Sequence, residues 1–344
     1  MRKPSVESKA RELRLSDYVL KRHVRALRQR RSCKRRLHLL KKPKDGKTRI
    51  KHVTIVAPNK IIFHGDESVR NTFRQFISDI SGKLGSEYRV KIDLSKVELL
   101  LPCGVLLLLS QVRGWTLKFP GKLSANYPSD EVVEQMLQSV GILEKLGLPE
   151  RVTVSREEVT RWYHFKGESA DASQMTPFMQ VAKERLGEAD QSALYDSIVE
   201  AITNVTHHAY DDDEQKRWWM FASLTKTEVF VSIYDAGRSI PGTLLEKPGV
   251  RDQIKSWCWG KKKRDSRMLH AAMGGKSRTK LCYRGKGLPE MLESTMNMIG
   301  SSLAIYSRRG LVLCDSGADR EVRTELTEPV DGTLLLWALK TAKD

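Results

Sequence analysis

The stretch EAITNVTHHAY, Glu200 to Tyr210, decides how this chain is read. Taken as a helix, it places Glu200, Asn204 and His208 at four-residue steps. Such steps keep side chains on one slowly drifting face. A carboxylate, an amide and an imidazole in line make an odd solvated stripe. They suit a divalent cation and a polyphosphate, because an amide oxygen can ligate Mg²⁺, which favours oxygen ligands and bridges to substrate phosphates. The carboxylate can take a proton from water or from a hydroxyl.

Working outward, VFVSIY at 229–234 alternates like a strand and runs into DAGRSIPG at 235–242. A carboxylate at that turn, Asp235, accepts hydrogen bonds only, so it prefers the exocyclic amine of adenine to guanine. Gly237 lets backbone come close to a flat ring, and Ile240 with Pro241 offers an apolar wall. Further on, YRGKGLPEM at 283–291 sets Gly285 and Gly287 around Lys286, ahead of the periodic stretch LPEMLESTMNMIG. Free backbone N–H groups at such a helix start make an anion site. No GxxxxGK[ST] loop is present. Near the end, DGTLLLWAL at 331–339 carries Thr333 into a last strand.

These four blocks, in this order and at this spacing, resemble the ATP-binding domain of the GHKL superfamily. That superfamily includes gyrase, heat-shock chaperone ATPases, histidine kinases and mismatch-repair ATPases. The resemblance covers about half the chain. It implies a two-layer α/β sandwich, the Bergerat fold, over residues 181–344, with ATP and Mg²⁺ as cofactors. Glu200 is then the catalytic base and Asn204 the metal ligand. Asn204, His208, Asp235, Gly237, Ile240, Arg284, Gly285, Lys286, Gly287, Leu288 and Thr333 form the nucleotide site. The adenine block departs at Ser239, where a second glycine is usual. Between Thr243 and Arg284 the resemblance places a lid over the phosphates. It is rich in Lys and Arg (Lys261, Lys262, Lys263, Arg264, Arg267, Lys276, Arg278, Lys280, Arg284), with Gly274 and Gly275 as hinges.

Charge is spread unevenly. Residues 1–50 hold 19 Lys or Arg against 4 Asp or Glu, a surplus of 15 out of +18 for the whole chain. A cluster such as RQRRSCKRRLHLLKKPK is a footprint of polyanion contact. With Tyr18 its only aromatic, this arm suits phosphate contact better than base stacking. A nucleic acid, an acidic protein and an anionic membrane all remain open as its partner. Leu13, Leu20, Val24 and Leu27 keep helical spacing, so the arm reads as helical. The five cysteines (Cys33, Cys103, Cys258, Cys282, Cys314) are odd in number and lack metal-ligand spacing. They point to a reducing, cytoplasmic setting. The charged start of the chain does not read as a signal peptide. The most apolar run, LLLPCGVLLLL at 99–109, is too short to span a bilayer.

Residues 51–150 read as a separate small α/β unit. HVTIVA and KIIFHG look like a strand pair joined by a Pro-Asn turn. DESVRNTFRQFISDIS reads as a helix, YRVKIDLS as a strand and PCGVLLLLSQVRGW as a buried helix. TLKFP reads as a strand, and SDEVVEQMLQSVGILEKLG as a capped helix. Through IDLSKVELLLPCGVLLLL the unit resembles STAS domains, the anti-sigma-factor antagonists. Where that family offers a phosphorylatable Ser, this loop reads Leu101-Pro102-Cys103-Gly104, and Cys103 reads as a small buried hydrophobe. Residues 151–180 read as a linker.

Three functions follow as expectations. One is a nucleotide-dependent conformational switch acting on a protein partner. Another is a protein serine kinase of the anti-sigma-factor type acting on a separate STAS protein, since EAITNVTHHAY is similar to the N box of those kinases. The third is an ATP-gated nucleic-acid binder acting through residues 1–50. No helical hairpin bearing a phosphoacceptor His precedes the ATPase blocks, which disfavours a histidine kinase. The sequence leaves the oligomeric state open.

Overall fold

The computed structural model describes residues 51–64, 67–86, 88–156, 159, 162–211, 214–246, 264–273, 287–318 and 320–341. The arm at 1–50 lies outside them. The described chain is mixed α/β. No helix among the described residues is long and apolar enough to cross a membrane.

The first half is built on parallel strands. Strands β1 (Lys51–Val56), β3 (Tyr88–Asp93) and β5 (Leu123–Ala125) form a sheet in the order β1-β3-β5, all parallel. Helices α1 (Glu67–Leu84) and α2 (Pro102–Lys118) make the crossovers. Val53, Ile55, Val90 and Ile92 join the core on one face. The expected strand pair does not form. Strand β2 (Lys60–Ile61) pairs in parallel with β4 (Leu99–Leu100) instead of folding back on β1. The reason lies far along the chain: the Asn59 carbonyl accepts hydrogen bonds from the Glu98 and Leu99 amides, which draws 59–61 towards 98–100. TLKFP is not a strand either, since Thr116, Leu117 and Lys118 complete the last turn of α2 and the strand begins at Leu123. The next helix starts as expected, with Asp130 accepting from the Val133 amide. It breaks at Gly141, whose φ of 75° is left-handed, into α3 (Glu131–Ser139) and α4 (Ile142–Lys145).

The second half is a five-stranded antiparallel sheet in the order β6-β7-β8-β10-β9. Its strands are β6 (Trp162–Gly167), β7 (Trp218–Leu224), β8 (Glu228–Asp235), β9 (Ser302–Asp315) and β10 (Arg320–Lys340). Helices α5 (Thr176–Leu186), α6 (Glu188–Asn204), α7 (Ile240–Glu246), α8 (Asp265–Ala272) and α9 (Gly287–Asn297) complete it. The sheet therefore starts inside the stretch expected as a linker. WYHFKG supplies the edge strand because its aromatics serve both faces: Trp162 meets Phe221 at 5.5 Å on one, and Tyr163 meets Phe178 at 5.4 Å on the other. The chain before it is tied down as well. Gln135 accepts from the Ser155 and Arg156 amides, and Gln138 donates to the Val152 carbonyl.

Both faces of this sheet are buried. Every residue of β7, WWMFASL, is buried, which is the pattern of a strand covered on two sides. One face (Met220, Val231, Ile233, Ile305, Leu335) shares a core with α5, α6 and α9. The other (Trp219, Phe221, Tyr234, Tyr306, Leu334) shares a core with the leucines of α2. Polar contacts cross the same junction. The Tyr306 hydroxyl lies 3.0 Å from His64 Nδ1, and Ser110 of α2 lies against the hydroxyl of the fully buried Tyr234, which donates to the Asp331 carbonyl at 2.9 Å. Residues 51–150 and the sheet are thus two sides of one continuous core. Cys103 is buried at 4 % exposure with its thiol pKa raised by burial, as a small apolar residue would be.

Candidate functional site

Helix α6 brings Glu200 and Asn204 together as i and i+4. Asn204 Nδ2 donates to Glu200 Oε1 at 2.9 Å. A carboxylate can only accept, so the amide presents its NH₂ to it. Its Oδ1 is left as the acceptor for something else. The helix then widens into a π turn, Val205–Ala209, a feature common at functional sites. His208 lies in that turn, exposed, and its carbonyl accepts from Arg238 Nη2 at 3.3 Å.

Asp235 ends β8, buried at 3 % exposure. Burial pushes its carboxyl up to about 7, against the backbone N–H groups of Gly237 and Thr333, which pull the other way. The Gly237 amide donates to Asp235 Oδ1 at 2.9 Å. The close approach that makes Gly237 necessary is to the chain itself rather than to a ligand ring: a Cβ there would lie 2.2 Å from the Ala209 carbonyl oxygen. The Arg238 amide donates to that same oxygen at 2.5 Å. The Tyr210 hydroxyl accepts from the Ala236 amide and donates to the Arg217 carbonyl. The turn after β8 is thus pinned to the end of α6. Ser239, the departure from the glycine pattern, has a local reason. Its hydroxyl accepts from the Gly242 amide and caps α7.

Thr333 is the register partner of Asp235 across β8 and β10. Its hydroxyl lies 3.0 Å from Ser307 Oγ, and Ser307 also accepts from the Ile240 amide at 2.9 Å. Sequence reading missed Ser307. It is fully buried and ties β9, β10 and the start of α7 together, yet it stands alone among β9 residues with no motif around it. Gly332, before Thr333, has φ 75°, and a Cβ would lie 1.9 Å from the Asp235 carbonyl oxygen.

Gly287 opens α9 against Glu200. A Cβ there would fall 1.7 Å from Glu200 Oε1 and 2.3 Å from its Cδ. The glycine is needed for contact with the carboxylate of α6.

One cavity collects most of these residues. Asn204, His208, Asp235, Ile240, Gly287, Leu288 and Thr333 line it. Glu200 touches its rim through Asn204 and Gly287, and Gly237 backs Asp235. Arg284, Gly285 and Lys286 lie outside the described residues, as do Lys261, Lys262, Lys263, Gly274 and Gly275. The remaining wall comes from residues that sequence reading did not single out. Ala201, Val205 and Ala209 repeat the four-residue step of the Asn204 stripe, a signal that was readable. Ala271, Ala272, Met291 and Leu335 carried none.

Ala271 and Ala272 belong to α8, in the middle of the expected lid. That helix is fixed to the sheet. Glu325 caps its start by accepting from the Asp265 and Ser266 amides, and His270 Nε2 meets Glu321 at 3.1 Å. Arg264 and Arg267 flank this docked start.

No protein-family model matches the chain, and comparison with curated proteins finds no match.

The donor set suits an adenine nucleotide with magnesium. The cavity offers Asp235, which is an acceptor only when ionised, and apolar walls at Ile240, Leu288 and Met291. Among the described residues no three His, Cys, Asp or Glu side chains converge on a metal position. Magnesium commonly takes one or two protein oxygens and completes its shell with water and phosphates. The Asn204 Oδ1, turned away from Glu200, could serve as one such oxygen.

Proposed function

We propose that this chain binds ATP with Mg²⁺ and uses the nucleotide as a conformational switch for a protein partner. The observation that carries the reading is the Glu200–Asn204 bond, at the rim of a cavity whose floor is the buried Asp235. Adenine N6 donates to Asp235, and Thr333 and Ile240 bound the ring. Asn204 would hold magnesium, which supplies charge neutralisation at the phosphates when bound. Glu200 would orient or deprotonate the attacking water, or a protein hydroxyl in the serine-kinase alternative. The sequence block Arg284-Gly285-Lys286-Gly287 is assigned to the phosphates by its resemblance alone.

The sequence resemblance to the GHKL superfamily supports the Bergerat fold for 181–344, and the antiparallel sheet with helices packed on it is compatible with it. The STAS resemblance supports a regulatory origin for 51–150. Its loop lacks a hydroxyl, and Cys103 is buried, so a phosphoryl acceptor would belong to another molecule. A cytoplasmic setting belongs to the same reading.

Calorimetric titration of the full chain with ATP, with and without Mg²⁺, tests the proposal. Saturable binding that needs the metal, discriminates against GTP and vanishes in Asn204→Ala is expected. Uptake of neither nucleotide at millimolar concentration would end the reading. Labelled γ-phosphate then separates water from a protein hydroxyl as acceptor.

A further inference from the structure

The parallel sheet β1-β3-β5 is covered on one face only. His52, Thr54, Val56, Arg89, Lys91 and Ser124 are exposed on the other, between the buried Val90 and Ile92. Parallel sheets are nearly always covered on both faces. At the edge where these strands begin, lysines gather around two rings. Lys51 and Lys83 lie 5.8 and 4.9 Å from the centre of Tyr88, and Lys118 and Lys122 lie 5.4 and 5.8 Å from Phe119. Lys122 Nζ donates to the Ser86 carbonyl at 3.1 Å, which joins the two groups.

Rings hold an ammonium group in place without cancelling its charge. Among the described residues no carboxylate forms an ion pair with any of the four lysines. Helix dipoles account for Lys83 and Lys118, each in the last turn of its helix. They do not account for Lys51, Lys122 or Arg89, whereas Lys91 has the Asp93 carboxylate two residues on along the same strand. Like charges gathered at one edge repel, and an anion bound among them relieves that repulsion.

We propose that this edge and the adjoining bare face are a contact surface for a nucleic-acid phosphate backbone. Charge complementarity selects the occupant, and it is reinforced by the sequence: the chain reaches Lys51 directly from the fifty residues with 15 surplus positive charges. A membrane fits less well. Among the described residues Leu117 and Val56 are the large apolar side chains exposed at this edge and face, and two separate side chains do not make the continuous apolar face that surface-lying segments need. An acidic protein would require aromatic or apolar anchors, and both rings here are engaged with lysines. The inference does not depend on the nucleotide reading.

The test is fluorescence anisotropy of the full chain with labelled single-stranded and duplex oligonucleotides over a salt series. In K83A/K118A/K122A, affinity should drop at least ~10-fold near 0.1 M salt, and the slope of log K against log salt should become shallower by about 2, at ~0.7–0.9 per phosphate contact. The charge-keeping K83R/K118R/K122R variant should bind like the parent, and both variants should melt with it. Should the alanine triple fail to fold, the single variants K118Q and K122Q should each flatten the slope by roughly 0.7–0.9. Parental affinity and slope in the alanine triple, or in both single variants, would overturn the proposal. So would equal loss in the arginine triple, or binding to anionic vesicles with none to either oligonucleotide.

Discussion

Asn204 turns its NH₂ to Glu200 at 2.9 Å, and this single bond orients both side chains. It fixes which end of the amide is left to ligate a cation, and it holds one carboxylate oxygen against the start of α9. The two residues therefore separate by role. Asn204→Ala should abolish Mg·ATP binding. Glu200→Gln should keep binding while turnover falls by roughly 10²–10⁴-fold, the usual worth of a positioned base. Single-turnover kinetics beside equilibrium titration checks the pair, and full turnover in Glu200→Gln would remove the base from the scheme.

Gly287 offers an independent handle on the same carboxylate. An alanine Cβ would occupy the place of Glu200 Oε1, so Gly287→Ala should swing the carboxylate away. Turnover should fall as in Glu200→Gln, and the double variant should be no worse than either single one, because contacting residues are not additive. Additive losses would show that Gly287 acts elsewhere.

Asp235 gives a pH dependence of known sign. Burial raises its carboxyl to about 7, above the unfolded value of about 4. Its contribution to stability is therefore fully present below the unfolded value and lost as pH rises through about 7. Asp235→Asn should melt higher than the parent at pH ~8 and lose that advantage towards pH ~5. Nucleotide affinity should run the other way, weakening as pH falls through about 7, because the protonated carboxyl is a poorer acceptor for adenine N6. Melting curves and titrations across this range check both directions.

The junction between the two halves should be felt as one folding unit. Phe221 is buried at 1 % exposure in the core shared with α2. Phe221→Ala should cost about 3–5 kcal/mol. Calorimetry of the parent should show residues 51–344 melting in a single transition. Two well-separated transitions, with only one moved by the substitution, would contradict the shared core.

Much of the site was legible because its residues carry local patterns. Glu200 and Asn204 keep helical spacing, Asp235 closes an alternating strand, and Gly287 and Thr333 sit in glycine blocks. What escaped had no local pattern. Ser307 works through partners at 240 and 333, far along the chain. Strand β6 was lost because its aromatics and basic residues make no clean alternation when both faces are partly covered. The Pro58-Asn59 turn suggested a strand pair, whereas hydrogen bonds from 98 and 99 decide where 59–61 goes. The apolar second face of the sheet could be read in WWMFASL, but not that α2 would cover it.

Tyr234 and Asp235 are consecutive on β8, and consecutive strand residues face opposite ways. The tyrosine reaches Ser110 in the amino-terminal half, and the acid lines the cavity. No hinge or tether intervenes: one peptide unit joins the residue that lines the cavity to the residue that packs against the other half. A shift of that strand by a fraction of an ångström is registered on both sides at once, so any message from the cavity has no distance to travel.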